Sequence, residues 1–323
     1  MRSCRLIVIL VGMLTMLGYV PYAQGQPTLA DIIANVRLRE KPLENLEVVI
    51  NSTYDIGDRE PSSKDEVIRS KALIRFVSQG EWFRVEREGS KQVSERTVSL
   101  DLIRAFDGQT TRVLSQKVVG NIARDRLEDE NFVRPHMFLL RHAYSAVPFS
   151  VYLTGHEAIR AHNSGSWNQE LTMRVTYEGE ERFNGFKCHR VLVDVLLKSG
   201  EPHDGRRFWL AEERSYLPVQ ELAYTYRFSK DAPVGQSLLN DLREIKPGVW
   251  FPFKAVSTAY DKLKIQQGGP QELQWRRQYT VDRVTLEPKY DREFFATVDF
   301  PVGTAMYEVE KEKIVRSWRQ GDR

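Results

Sequence analysis

Cysteine is nearly absent from this chain, with two residues among 323. Cys4 precedes an N-terminal apolar run, and Cys188 stands alone in the rest of the sequence. A chain that has lost its N-terminal run would contain no internal disulfide, so its stability would have to come from a hydrophobic core. The length is enough for one large core or two modest ones. We expect Cys188 to be a small buried residue of that core.

An excess of one charge is also lacking. Lys and Arg number 47, Asp and Glu number 44, and the two signs are interspersed along the chain. This balance provides no electrostatic attraction for nucleic acid or for an anionic membrane surface. We therefore expect no nucleic-acid partner.

Long apolar runs are limited to one, over residues 6–20. Arg2 and Arg5 precede this run, and the small residues Ala23 and Gly25 follow it. A basic segment, an apolar segment and small residues in this order are typical of a secretory signal peptide.

We therefore predict a signal peptide over residues 1–25 and an exported, periplasmic mature chain over residues 26–323. Cys4 lies before the apolar run, so it cannot be the lipidated cysteine of a lipoprotein, and the mature chain is expected to be soluble. The alternative is an uncleaved anchor, although the run falls short of the roughly 20 apolar residues that span a bilayer as a helix.

Motifs that carry catalysis are lacking too. The sequence contains no G-x-S-x-G elbow, no glycine-rich phosphate loop and no H-E-x-x-H helix motif. The pairs His136/His142 and His156/His162 are each separated by six positions, which places their members on different faces of a helix. We expect solvated or locally capping histidines, no catalytic residue, no metal and no cofactor. A buried site assembled from distant residues is compatible with the spacing.

Apolar residues at helical spacing follow a capping pattern formed by Thr28 and Asp31. Pro42 ends this pattern, so we predict an amphipathic helix over residues 29–41. The apolar positions of this helix are Leu29, Ile32, Ile33 and Val36.

From Leu46 onward the apolar period changes from about four to two, which predicts strands. Asp107-Gly108 and Asn184-Gly185 are strong hairpin signals because these residues tolerate positive φ. Two central helices are predicted over residues 135–143 and 149–161. Further strands are predicted over residues 70–77, 82–87, 100–106, 110–116, 170–177, 186–197, 206–210, 219–228, 238–245, 249–260 and 274–286. Strands joined by short connections predict an antiparallel meander, and hence an α+β fold.

Several short segments follow one another in an order typical of one protein family. They are the helix and first strand of residues 29–54, Ile103–Thr110, Arg134–Arg141, Asn184–Val191, Phe208–Leu210 with Leu217–Val219, Asp241–Glu244 with Gly248–Pro252, and Phe294–Thr304 as a closing strand and turn. In this order they resemble the periplasmic lipoprotein-carrier (LolA-like) family, together with its relative, the lipoprotein-sensing regulator of envelope stress.

The resemblance implies a strongly curved antiparallel β-sheet, an incomplete β-barrel, with a few helices covering its concave face. It also implies a single domain over residues 26–323, with inserted helices around residues 135–161. The chain departs from the family in two ways. It is longer than a minimal carrier, and the segment Val77–Gly80 lacks the cation that carriers have near an early turn.

Members of this fold shelter lipoprotein acyl chains between the inner and outer membranes, without a cofactor and without catalysis. The resemblance thus implies a binding protein for lipid or lipoprotein acyl chains, with a role in outer-membrane lipoprotein sorting and an inner- or outer-membrane protein as a further partner. Burial of roughly fourteen methylenes could contribute about 10 kcal/mol at most, so an apolar lining alone would suffice for affinity.

A curved sheet with few helices has more concave face than those helices fill, so aromatic and apolar residues on strands are candidates to line a cavity. The candidates are Phe76, Trp82, Phe106, Met137, Leu140, Tyr177, Trp209, Tyr224, Tyr226 and Trp250. For any single one of them, ordinary core packing is the competing interpretation.

Two further functions are compatible with the sequence. The first is an envelope sensor or interaction module that binds a protein partner on the same sheet. The second is an envelope hydrolase whose catalytic residues are scattered along the chain.

Overall fold

The computed structural model describes residues 27–57, 61, 63–64, 66–124, 148–155, 172–310 and 313–322. The predicted signal peptide, the predicted helix 135–143, the later part of the second predicted helix, and the candidates Met137 and Leu140 lie outside these residues.

Four α-helices occur in the described chain: α1 (Leu29–Glu40), α2 (Phe149–Tyr152), α3 (Lys262–Gln266) and α4 (Arg292–Ala296). The predicted N-terminal helix is confirmed. Thr28 accepts a hydrogen bond from the Asp31 N–H, and Asp31 accepts one from the Thr28 N–H, so both halves of the capping box are present. No helix among the described residues is long and apolar enough to cross a membrane.

Sixteen strands in the described chain form one sheet. They are β1 (Leu46–Asp55), β2 (Val67–Gln79), β3 (Trp82–Val93), β4 (Arg96–Ser99), β5 (Leu102–Phe106), β6 (Thr111–Ser115), β7 (Val119–Ala123), β8 (Thr172–Phe183), β9 (Phe186–Leu196), β10 (Pro202–Ala211), β11 (Leu217–Thr225), β12 (Gly235–Lys246), β13 (Val249–Tyr260), β14 (Leu273–Leu286), β15 (Ala305–Glu310) and β16 (Lys313–Arg319).

The strand order is β16-β15-β7-β6-β5-β3-β2-β1-β14-β13-β12-β11-β10-β9-β8, with β4 paired to β3 beside this path. Neighbouring strands are antiparallel, except that β15 runs parallel to β7. The sheet ends at β16 and β8, so it stays open. The predicted α+β fold with a curved, open and mainly antiparallel sheet is confirmed.

Each predicted strand corresponds to a strand of the structure, although several ends differ. The predicted hairpin turns are also present, since φ is positive at Gly108, Asn184 and Gly185. The prediction of a closing strand from Phe294 is wrong. Asp291 caps α4 there by accepting the Phe294 N–H at 3.0 Å, and the chain then turns into the β15–β16 hairpin.

The sheet has two faces of different chemistry. We define the inner face as the one that carries Leu46, Val48 and Ile50 of β1, and the outer face as its opposite. The inner-face core cluster runs across neighbouring strands and is formed by buried residues. It contains Leu43, Leu46, Val48, Ile50, Ile74, Phe76, Phe83, Val85, Phe106, Leu217, Leu239, Val249, Phe251, Phe253, Ala255, Tyr279 and Val281.

Helices cover both faces at different places. On the inner face, Ile32 and Val36 of α1 and Phe149 of α2 pack on β9 and β10, in one cluster with Val191 and Phe208. On the outer face, α4 packs on β3. Its Phe295 ring lies 5.7 Å from the ring of Trp82, centroid to centroid. The C-terminal segment therefore shields a part of the sheet that N-terminal strands build.

A buried carboxylate on the outer face ties this segment to the sheet centre. Glu47 of β1 is only 7% exposed at its side chain. It accepts hydrogen bonds from Arg75 Nε at 3.0 Å, from Arg283 at 2.9 Å and from the Tyr290 hydroxyl at 2.7 Å. Burial alone would raise the pKa of Glu47, but the hydrogen bonds from Tyr290 and Arg75 and the charges of both arginines lower it below the ordinary value.

Replacement of this carboxylate should weaken the fold in a pH-dependent way. Because the folded-state pKa of Glu47 is depressed, its stabilisation is present above the ordinary glutamate pKa of about 4.3 and is lost as pH falls through the folded pKa. We expect Glu47→Gln to lower the free energy of unfolding by about 1–3 kcal/mol at pH 7. The loss should shrink towards pH 3, as measured by urea unfolding.

The exposed Glu88→Gln on the same face of β3 is the control and should change stability by less than about 0.5 kcal/mol. An equal loss for Glu47→Gln at both pH values would contradict an ionic role for this carboxylate.

Candidate functional site

The inner face changes its chemistry along β1, β2, β3 and β14. The pairing register arranges the residues of these strands in rows that cross the sheet. From the core outwards, the rows are Arg87–Ile74–Ile50–Val281, then Gly89–Ala72–Ser52–Tyr279, then Lys91–Ser70–Tyr54–Arg277. The first row is mainly apolar, the second holds small residues on three of its strands, and the third carries a cation at each end.

The row of small residues leaves a hollow that we call the inner-face cavity. Its volume is about 410 Å³, which lies within the usual range of ligand sites. In the same row, Gly89 cannot be replaced by a larger residue without a shift, because an added Cβ would meet the Lys71 carbonyl oxygen at 2.1 Å. The described residues that line the cavity are Ser52, Tyr54, Val67, Ser70, Ala72, Ile74, Arg87, Lys91, Leu100, Trp275 and Arg277.

The charge of this lining has one sign. Arg87, Lys91 and Arg277 are basic, and none of the described lining residues is acidic. Arg87 Nε donates to the Leu100 carbonyl oxygen at 2.8 Å. The Arg277 guanidinium lies 5.3 Å from the centroid of the Tyr54 ring. The cavity thus combines an apolar floor with a positive rim, and it suits an amphiphile better than a purely polar molecule.

A second cluster, formed by side chains that could bind a metal ion, lies near the β8–β9 hairpin. One ligand atom each of Glu180, His189 and Glu212 lies within 4.8 Å of the others, the spacing of a metal site. Lys187 Nζ, however, lies 3.0 Å from the Glu180 carboxylate and 2.9 Å from that of Glu212. Its hydrogen bond is the main cause of a lowered Glu212 pKa. The ammonium group already supplies the positive charge, so a divalent metal would have to displace it.

His189 corrects the expectation of solvated or capping histidines. It is fully buried. Its Nδ1 lies 3.1 Å from the Tyr177 hydroxyl, its Nε2 lies 3.0 Å from Glu212, and its ring stacks on Tyr216. The spacing of histidines along the chain could not reveal this, because Tyr177 and Glu212 come from other elements.

The expectation for Cys188 is confirmed. It is buried in a cluster with Trp209, Ala211 and Val219, and burial raises the pKa of its thiol to about 11. Alternation along β9 places it on the opposite face from His189, so the two cannot act together.

Three of the candidate cavity residues lie on the inner face but beside the inner-face cavity rather than in it. Phe76 and Phe106 belong to the packed inner-face core cluster. Tyr177 packs beside α1 and α2.

The other described candidates lie on the outer face. Trp82 packs on Phe295 of α4, and the Trp250 ring lies under the Arg214 guanidinium at 3.9 Å. Trp209, Tyr224 and Tyr226 share the outer side of β10 and β11 with ion pairs such as Arg207–Glu178. A part for these residues in ligand binding stays a prediction.

Residues that line the inner-face cavity but were not among the candidates include Tyr54, Lys91, Trp275 and Arg277. Alternation was the signal that could have indicated Tyr54. It follows Leu46, Val48 and Ile50 at even spacing, and so must share their face. For the residues on β3 and β14 the register had to be known first.

No protein-family model matches the chain, and no curated protein matches it. Several solved structures do match the chain. A LolA superfamily protein from Nitrosomonas europaea matches at 11% identity and a TM-score of 0.45, over 83% of this chain and 97% of that one. A DUF1329 family protein from Desulfovibrio piger matches at 10% identity and a TM-score of 0.44, over 83% of this chain and 96% of that one.

A putative outer membrane lipoprotein-sorting protein domain from Vibrio parahaemolyticus matches at 9% identity and a TM-score of 0.42, over 83% of this chain and 97% of that one. The LolA superfamily, which the sequence motifs resemble, is thus named among the matching structures.

The outer-face position of Trp209 predicts a structural role. Its side chain is largely buried against Phe183, Cys188 and Val219. Trp209→Ala should lower the free energy of unfolding by about 3–5 kcal/mol. The folded fraction should bind a fluorescent acyl probe with unchanged affinity. The affinity is measured without urea, at a temperature well below the melting temperature of the variant. Unchanged stability with weaker uptake would instead assign Trp209 to a ligand site.

Proposed function

We propose that this protein is an exported, periplasmic binding protein that shelters the acyl chain of a lipid or lipoprotein on the inner face of its sheet. One observation carries the proposal. The inner face continues from its packed core cluster into a cavity of about 410 Å³ that has Ile74 in its floor and Ser52, Ser70 and Ala72 along its walls.

The packing of the inner face supports the cavity as the place of binding. Ile50 and Phe76 are each at most 2% exposed, so the face beyond Ile74 is already filled. An acyl chain would bind where the small residues of the next row leave room. Each methylene that leaves water there contributes about 0.8 kcal/mol, and no precisely placed polar partner is needed.

Chemistry at the site also favours binding over catalysis. The described lining residues contain no acid or histidine that could act as a general base beside a nucleophile. Transfer of lipoproteins between membranes, and a membrane protein that loads or receives the cargo, belong to the same proposal. They would place such a chain in outer-membrane lipoprotein sorting.

A bulky side chain in the cavity should abolish uptake without unfolding the sheet. Ser70 lies in the outermost row and lines the cavity. We expect Ser70→Trp to weaken binding of a pyrene-labelled long-chain alcohol at least about tenfold, because the indole occupies the volume that the chain would take. Titration of pyrene fluorescence measures this, and Trp is well tolerated in strands.

Ser90→Trp is the matched control, because Ser90 is exposed on the opposite face of neighbouring β3. It should bind the alcohol like the unaltered protein. Mass spectrometry of lipids extracted from the purified protein gives a second readout. No extracted lipid together with no uptake of the alcohol by the unaltered protein would refute the proposed function.

A further inference from the structure

The cations at the rim of the inner-face cavity are not needed to hold an uncharged acyl chain. We propose that the ligand is an anionic amphiphile, with one acyl chain in the cavity and a carboxylate or phosphate head group held by Lys91 and Arg277. Because an acyl chain must bind here first, the inference rests on the proposed function.

The strand register places the two cations at opposite ends of one row of residues. Lys91 pairs with Ser70, Ser70 with Tyr54, and Tyr54 with Arg277, so the cations flank one row from its two sides. Strands lie about 4.8 Å apart, which separates the two backbones by about 14 Å in a flat sheet and by less in a curved one. Two long, flexible side chains can converge across this distance on one head group.

The cavity extends inwards along β2, so the head group and the acyl chain of a ligand would occupy different parts of it. Two positions inwards from Ser70 on β2 lies Ala72, and two further lies the apolar Ile74. Each such step is about 7 Å along a strand. A head group at the rim therefore leaves the acyl chain beside the small residues, with its far end against Ile74.

The charge on Lys91 and Arg277 is not compensated within the described part of the chain. Neither side chain lies within ion-pair distance of a carboxylate among the described residues. On the outer face the opposite holds, since Arg75, Arg190 and Arg207 each pair with a glutamate. A carboxylate or phosphate would supply the missing charge, and arginine suits these planar or multidentate anions well.

Competition against a bound fluorescent acyl probe tests the proposal. The competitors are a saturated fatty acid, the alcohol of the same length, and inorganic phosphate, all at a pH of about 8 where the acid is ionised. We expect the fatty acid to bind about tenfold more tightly than the alcohol. Phosphate alone should not displace the probe, because it lacks the chain that fills the cavity.

The double variant Lys91→Met, Arg277→Met should bind acid and alcohol equally, with alcohol binding changed less than about twofold. Lys71→Met, Arg276→Met is the control, because both side chains are exposed on the outer face of β2 and β14. It should keep the preference for the acid. Melting temperatures of both double variants show whether the fold is retained.

Each of the other possible outcomes would refute one specific claim. Equal binding of acid and alcohol by the unaltered protein refutes the anionic head group and leaves the acyl carrier intact. Displacement of the probe by phosphate as effective as by the fatty acid would indicate a site for a free anion. Failure of both acid and alcohol to bind refutes the proposed function itself.

Discussion

The pairing of β1 with β14 is the constraint on which the rest of the structure depends. Ten residue pairs join the first strand of the chain to its last long strand, from Leu46 with Leu286 to Asp55 with Arg276. Strands β2 to β7 extend the sheet on one side of this junction, and β13 to β8 extend it on the other. The cavity spans the junction, since Arg87 and Lys91 come from one side and Trp275 and Arg277 from the other. Closing so long a loop costs conformational entropy, which burial of the core cluster has to offset.

Because side chains alternate along the strands, the two faces of the sheet carry different residues and have different roles. The inner face buries an apolar core, is covered by α1 and α2 at one end, and opens into the cavity at another. Salt bridges and the helix α4 occupy much of the outer face, where Glu47 holds Arg75, Arg283 and Tyr290 together. Removal of one partner from such a buried cluster would leave an uncompensated charge, which is strongly destabilising. The cluster orients the C-terminal segment against the strands that form the cavity floor.

Much of the fold could be predicted because its signals are local. The capping box at Thr28 and Asp31, the Asp107-Gly108 and Asn184-Gly185 turns, and the period-two pattern from Leu46 are set by residues close together in the chain. For the candidate site, the type of cavity could be predicted from the sequence, but the residues that line it could not. An apolar, strand-lined cavity was expected, but Phe76 and Phe106 are packed in the core and Trp82 lies against α4. Aromatic character alone does not distinguish a residue that fills a core from one that lines a hollow.

The sequence by itself determined most of the long elements and their period, including a helix that ends near Pro42 and a buried Cys188, but it indicated neither α4 nor the β15–β16 hairpin. Only the tertiary structure decided which side of each strand faces inwards and which residues of distant strands share a row. A shift of register by one residue would send Lys91 and Arg277 to the other face, since successive side chains point to opposite sides. That register depends on pairing between segments far apart in the chain. The physical origin of the cavity is therefore long-range. Small residues on three strands meet in one row, and the cations of two strands meet at its edge.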